Sequence, residues 1–233
     1  TVSYRIRATD PDGNDNWSNT VSVTVAGSGP ATDGYARSVL ASGPEHYWRL
    51  SESSGTGVAD YTGLDDATAR NGVTRGVSGV ISGNAAATFQ GSSQQGASNS
   101  VARTSSFGTS VEAWFRTTSS SGGKIVGFGN SRTGTSSSNR IGRHLYLDTS
   151  GRVNFGIWQG SNRVLTSGGG LNNGEWHHVV GTVGDGGMAL YVDGARVGYR
   201  ADTTAGRPYD GYWRIGGDSL SGWPNRPSND YFT

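Results

Sequence analysis

The sequence predicts an all-β sandwich of the jelly-roll kind, and three observations predict it. Glycine supplies 39 of the 233 residues, with serine and threonine abundant beside it. That composition favours short strands joined by tight turns, because glycine supplies the positive-φ positions such turns need. Short apolar-alternating runs recur between Gly, Ser and Asn clusters along most of the chain, without a βαβ rhythm. The single helical stretch is Tyr35-Ala36-Arg37-Ser38-Val39-Leu40-Ala41, which Gly43-Pro44 stops.

Residues 1–25 alternate, with Tyr4, Ile6 and Ala8 on one side and Arg5, Arg7 and Thr9 on the other. A turn-rich run, Asp10-Pro11-Asp12-Gly13-Asn14, is followed by renewed alternation at Val21, Val23 and Val25. This predicts a two-stranded hairpin with a long loop, which needs cover for its apolar face. Residues 27–34 have linker composition and separate the segment 1–26 from the main domain at 35–233. Within that domain, strands are expected at 46–50, 86–90, 110–117, 124–129, 143–148, 153–158, 176–183, 188–192 and 212–215.

The bulk numbers exclude several function classes. A formal net charge of +1, with the arginines scattered, gives no electrostatic footprint for nucleic acid or an anionic membrane. Without cysteine there is no disulfide, thiolate metal site or thiol nucleophile. No apolar run is long enough to span a bilayer. Thr1 opens directly into strand-like sequence, so the chain is expected to be a fragment of something longer.

Two resemblances add to this reading. Tyr4-Arg5-Ile6-Arg7-Ala8-Thr9-Asp10, Gly13-Asn14 and Ser18-Asn19-Thr20-Val21 resemble the last two strands of a fibronectin type III domain, although Val2 stands where that family usually has its corner tyrosine. Tyr47-Trp48-Arg49-Leu50, Val111-Glu112-Ala113-Trp114-Phe115, Glu175-Trp176-His177-His178-Val179-Val180 with Leu190-Tyr191-Val192-Asp193-Gly194, and Ile215-Gly216-Gly217 resemble the laminin-G-like, concanavalin A-like jelly rolls. The second resemblance implies two stacked antiparallel sheets and a role in carbohydrate, protein or surface adhesion, often with one bound Ca²⁺. That family normally closes on an Ile-Asp-Glu-Val-like strand, and Thr233 precedes it. The missing strands are expected from the rest of the same polypeptide, with donation by a neighbouring subunit as the alternative.

The candidate sites follow. Asp60 and Asp218 are the expected side-chain ligands of a structural Ca²⁺, because loop carboxylates suit its many oxygen ligands and the 59–63 segment falls at the family's early acidic loop. Turn chemistry is the alternative for both. Trp114, Trp158, Trp176 and Trp213 lie in strands and are expected in the core, Trp176 together with His178 and Val180. Trp223, in the loop Ser221-Gly222-Trp223-Pro224-Asn225, is the expected exposed aromatic, and Trp223 with Asn225 the expected ligand-binding pair. His177-His178 is not read as a zinc site, since neighbours on a strand face opposite ways. Asn16-Trp17-Ser18 fits a glycosylation acceptor.

Catalysis is not expected. Glutamate occurs only at 45, 52, 112 and 175, and none has an acidic neighbour two residues away, so the carboxylate pair of a glycosidase is missing. The expected function is a non-catalytic binding or adhesion module of a secreted or cell-surface multidomain protein, with carbohydrate or a surface protein as partner. A structural spacer or fibre subunit is the alternative, and a glycoside hydrolase the least favoured.

Overall fold

The computed structural model describes residues 33–70 and 72–233 in full, together with the backbone of four short strands, β1 (Val2–Tyr4), β2 (Arg7–Thr9), β3 (Asp15–Trp17) and β4 (Val21–Val23). β1 pairs antiparallel with β4 and β2 with β3, the ladder of a hairpin. The expected faces of Tyr4, Ile6 and Val21 to Val25, and Asn16, lie outside the described side chains. Helix α1 (Gly34–Ala41) follows, started by Asp33, whose Oδ1 accepts from Ala36 N at 2.8 Å while Oδ2 meets Arg49 at 2.6 Å.

The main domain contains β5 (Gly57–Val58), β6 (Ala67–Arg70), β7 (Thr74–Ser78), β8 (Ala85–Thr88), β9 (Gly96–Asn99), β10 (Arg103–Thr104), β11 (Thr109–Phe115) and β12 (Gly123–Gly129). These lead into β13 (Ile141–Leu147), β14 (Val153–Trp158), β15 (Asn162–Thr166), β16 (His177–Gly184), β17 (Gly187–Val192), β18 (Ala195–Arg200) and β19 (Asp210–Ile215). One sheet runs β15-β14-β13-β12-β19-β9-β6-β5, with β10 beside β19; a second runs β11-β16-β17-β18; β7 and β8 pair separately. Every ladder is antiparallel, as in a jelly roll. The expected strand at 46–50 forms only an isolated bridge, Trp48 to Asp60.

The core lies between the two main sheets. Leu145, Leu147, Val153, Phe155 and Ile157 of the long sheet meet Val111, Phe115, Val179, Val183, Met188 and Leu190 of the four-stranded one. Burial alternates along β16, with His177, Val179, Gly181 and Val183 inward. Trp176, His178 and Val180 are therefore on the outer face and only half-buried, against expectation. The inward register is fixed by Gly181: a Cβ there would lie 2.4 Å from the Phe155 ring, so the ring occupies the space a side chain would take. The turn from β17 to β18 puts Asp193 and Gly194 at φ 49° and 81°, the two successive left-handed residues of a type I′ hairpin.

The other face of the long sheet is polar yet covered. Lys124, His144, Tyr146, Asn154 and Arg214 alternate with the core residues and lie under the segment 218–231. That segment crosses the sheet on side-chain anchors. Lys124 Nζ donates to Ser219 O at 2.8 Å, Asn162 Nδ2 to Gly222 O at 2.7 Å and Tyr146 OH to Pro224 O at 2.5 Å.

Candidate binding cleft

Trp223, expected exposed, is 6% exposed. Its ring meets His144 edge-on with centroids 4.1 Å apart. Gly156 makes the room, since a Cβ there would come within 2.7 Å of the indole. Asn225 is exposed, with φ 52°, and its Nδ2 donates to Asn154 Oδ1 at 2.9 Å, tying the covering segment to the sheet. The pair therefore anchors the segment rather than presenting a stacking surface.

Asp60 and Asp218 do not fit a calcium site either. Asp60 is buried, and its Oδ1 accepts from Tyr47 N, Thr62 N and Thr62 Oγ1 at 2.8 to 3.1 Å. Its Oδ2 accepts from Asp65 N at 3.1 Å and pairs with His46 Nδ1 at 2.7 Å. Burial alone would raise its pKa, but the hydrogen bonds from His46, Tyr47 and Thr62 win and hold the carboxyl well below the usual range. Lone pairs aimed at five donors are not free for a cation that takes six to eight oxygens. Asp218 is wholly buried between two cations, Lys124 at 3.6 Å and Arg214 at 3.4 Å, and Oδ1 accepts from Ser138 N. Among the described residues no three of His, Asp and Glu gather in a metal-holding group. The carboxylates do turn chemistry at Asp60 and bury an ion cluster at Asp218, two separate sites.

The accessible aromatics are elsewhere. Phe107, in the loop between β10 and β11, is 67% exposed. It flanks a cleft of about 540 Å³ whose other walls include Trp158, Gln159, Gly206, Arg207 and Pro208. Trp158 ends β14 and is half-buried, which corrects its expected place in the core.

One buried guanidinium holds this cleft together. Arg143 is 0% exposed and pairs across β13 and β14 with Ile157. Its Nε donates to Thr109 Oγ1 at 3.1 Å, and Nη1 to Ser105 Oγ at 2.8 Å and Arg207 O at 3.1 Å, while Nη2 donates to Ser106 O. Two of the three segments that wall the cleft, those of Phe107 and Arg207, thus end on one side chain. Gly206 N to Phe107 O at 2.8 Å joins these two directly, and Arg207 N to Trp158 O at 2.9 Å ties in the third. Burial pulls the Arg143 pKa down from its ordinary value.

A second aromatic group lies on the outer face of the four-stranded sheet. Trp114 is 36% exposed; its Nε1 donates to Tyr35 OH at 2.9 Å, and that hydroxyl donates to Glu112 Oε1 at 2.6 Å. His178 Nε2 reaches the same oxygen at 2.9 Å. The His178 hydrogen bond, against the opposing effect of burial, keeps the Glu112 carboxyl below its ordinary pKa. At neutral pH it is an acceptor, without a proton to give as a general acid. Trp213 alone of the four strand tryptophans packs on the core, as expected of all of them.

The cleft residues that sequence reasoning missed are Phe107 and Arg143. The available signal for Phe107 was an isolated aromatic in a Ser105-Ser106-Phe107-Gly108 turn. Arg143 gave none, since an arginine on an alternating strand reads as outward-facing.

The family model of the concanavalin A-like lectin/glucanases superfamily matches residues 89–232. No curated protein matches the chain. Among solved structures, domains LG4-5 of the mouse laminin alpha1 chain align at 21% identity and TM-score 0.46, over 62% of this chain and 36% of that one. The chain thus spans about a third of that relative's length. The CBM40 of the Ruminococcus gnavus IT-sialidase, bound to alpha2,3 sialyllactose, aligns at 15% identity and TM-score 0.39, covering 55% and 70% of the two chains. The SAP-like pentraxin of Limulus polyphemus aligns at 20% identity and TM-score 0.36, covering 55% and 62%.

Proposed function

We propose that this chain, which belongs to the concanavalin A-like lectin/glucanases superfamily, is a non-catalytic binding module that takes a carbohydrate in the cleft between Phe107 and Trp158. The observation that carries the reading is Phe107. A phenyl ring left 67% in water forgoes burial the fold gives the chain's other phenylalanines. Here it lines one cleft together with a second half-open aromatic, Trp158, and two of the cleft's loops are already fixed by Arg143. Sugar rings offer apolar C–H faces to such walls, and hydroxyls to polar groups such as Gln159 at the rim. A frame held before the ligand arrives lowers the ordering cost of binding.

The scarcity of glutamate, and the engagement of Glu112 by Tyr35 and His178, support binding without hydrolysis. The fibronectin-like sequence at 1–26 supports an extracellular, multidomain setting. Among the described residues no helix is long and apolar enough to cross a membrane.

A glycan array followed by calorimetry on the best hit tests the reading. Phe107→Ala and Trp158→Ala are each expected to weaken that hit at least tenfold, with the thermal midpoint of Phe107→Ala within about 2 °C of the parent, since an exposed side chain contributes little to stability. Binding unaffected by both substitutions would place the ligand elsewhere and overturn the proposal.

A further inference from the structure

We infer that the ligand of this cleft is an acidic saccharide, one carrying a carboxylate that sits against Arg207 above the buried Arg143. The inference rests on the carbohydrate reading and adds the charge of the ligand to it.

Its basis is a charge without a counter-ion. The Arg143 guanidinium is wholly out of water, and all four hydrogen bonds it makes go to neutral oxygens: two hydroxyls, Thr109 and Ser105, and two carbonyls, Ser106 and Arg207. No carboxylate among the described residues stands within ion-pair distance of it. Buried ions are ordinarily paired, because a lone one loses its hydration with no partner to replace it. The other fully buried cations follow that rule, Lys124 and Arg214 both facing Asp218.

Gly206, which lines the cleft, lies directly against this charge. A Cβ on Gly206 would lie 2.9 Å from Arg143 Nη2, so glycine is what lets the guanidinium come up beneath the cleft wall. At the cleft itself Arg207 adds a second positive charge, and no acidic residue is among the lining groups. The nearby Asp202 does not supply the missing anion. It is taken up by Arg200 at 2.7 and 2.9 Å and approached by Arg163 at 3.8 Å. Positive charge therefore stands at and beneath the cleft wall, with no carboxylate of the lining to offset it.

The test uses a panel of acidic oligosaccharides, uronate- and sialate-containing, each paired with its methyl-esterified, uncharged counterpart. Affinities of the intact chain are measured by calorimetry at 50 and 500 mM NaCl, for the parent and for Arg207→Gln. The expected result is that at least one acid binds tenfold or more tighter than its ester. High salt is expected to shrink that ratio, and R207Q to bring it close to one. An ester that binds as tightly as its acid throughout the panel would overturn the inference and leave the carbohydrate reading standing. No binding by any member, acid or ester, would remove both. A thermal midpoint for R207Q equal to the parent's separates a lost contact from a lost fold.

Discussion

Raising the pH from 8 to 10 perturbs one group in the polar layer beneath the C-terminal segment, and the sign of the response follows from its burial. Lys124 is fully buried, with Nζ hydrogen bonded to Ser219 O and 3.6 Å from Asp218. Desolvation outweighs the attraction of Asp218 and lowers its pKa from 10.5 to about 8. In the unfolded chain the same ammonium keeps its proton to the ordinary value. Between the two values the unfolded state binds more protons, so stability rises with pH. The full gap, at about 1.4 kcal/mol per unit, amounts to about 3 kcal/mol, most of it gained by pH 10. Tyr146 and Tyr209 act in the other direction. Burial raises both above the ordinary tyrosine value, so the folded state holds protons that the unfolded chain releases above about pH 10, and stability falls there. Urea denaturation of the parent and of Lys124→Met at half-unit steps from pH 7 to 10 reads the slope. Lys124→Met leaves the Ser219 carbonyl without its donor, so its absolute stability is not the readout. A parent curve that is flat or falling over this window, or a Lys124→Met curve that keeps the rise, would refute the reasoning.

Acid should act through His144, whose two ring nitrogens are buried without partners and whose pKa is pushed well below 6.5 by burial and by the charge of Lys124. Below pH 6.5 the unfolded chain takes a proton the fold refuses, so stability should fall by up to about 1.4 kcal/mol per unit, and His144→Leu should flatten that limb of the urea series. Trp223→Ala should cost about 3–5 kcal/mol by urea denaturation, as for a buried aromatic, whereas Trp176→Ala on the half-open outer face should cost about 1 kcal/mol. Equal losses for the two would mean the faces are assigned wrongly. Gly181→Ala should destabilise by about 1–3 kcal/mol through overpacking against Phe155, and an unchanged melting temperature would show that the sheets are not in the described register.

The jelly roll was legible because antiparallel strands and their turns are local, and β14 falls on its expected residues. What alternation does not tell is which of two faces is inward. Along residues 176–183 the large Trp176, His178 and Val180 outweigh a set containing Gly181, so the apolar count favours the wrong side. The inward face holds a glycine because a ring from the opposite sheet fills its place, a fact of tertiary packing. The same limit explains Trp223 and Phe107. Both lie in turn-rich loops, and only the long-range docking of one on His144 separates the buried ring from the exposed one. Asp60 shows the limit for charge, since a loop carboxylate reads alike whether it faces an ion or, as here, five donors brought from residues 46 to 65.

On the proposed function, the clamped cleft lined by Phe107 and Trp158 is where this module meets its ligand. Crystals grown with the tightest acidic oligosaccharide of the panel test it most directly. The expected result is a sugar ring against the two aromatic side chains, with the Arg143 hydrogen bonds unchanged and the carboxylate at ordinary charge-assisted bonding distance, roughly 2.7–2.9 Å, from the Arg207 guanidinium. A sugar seated over Trp114 on the outer face, or beneath a displaced 218–231 segment, would contradict it.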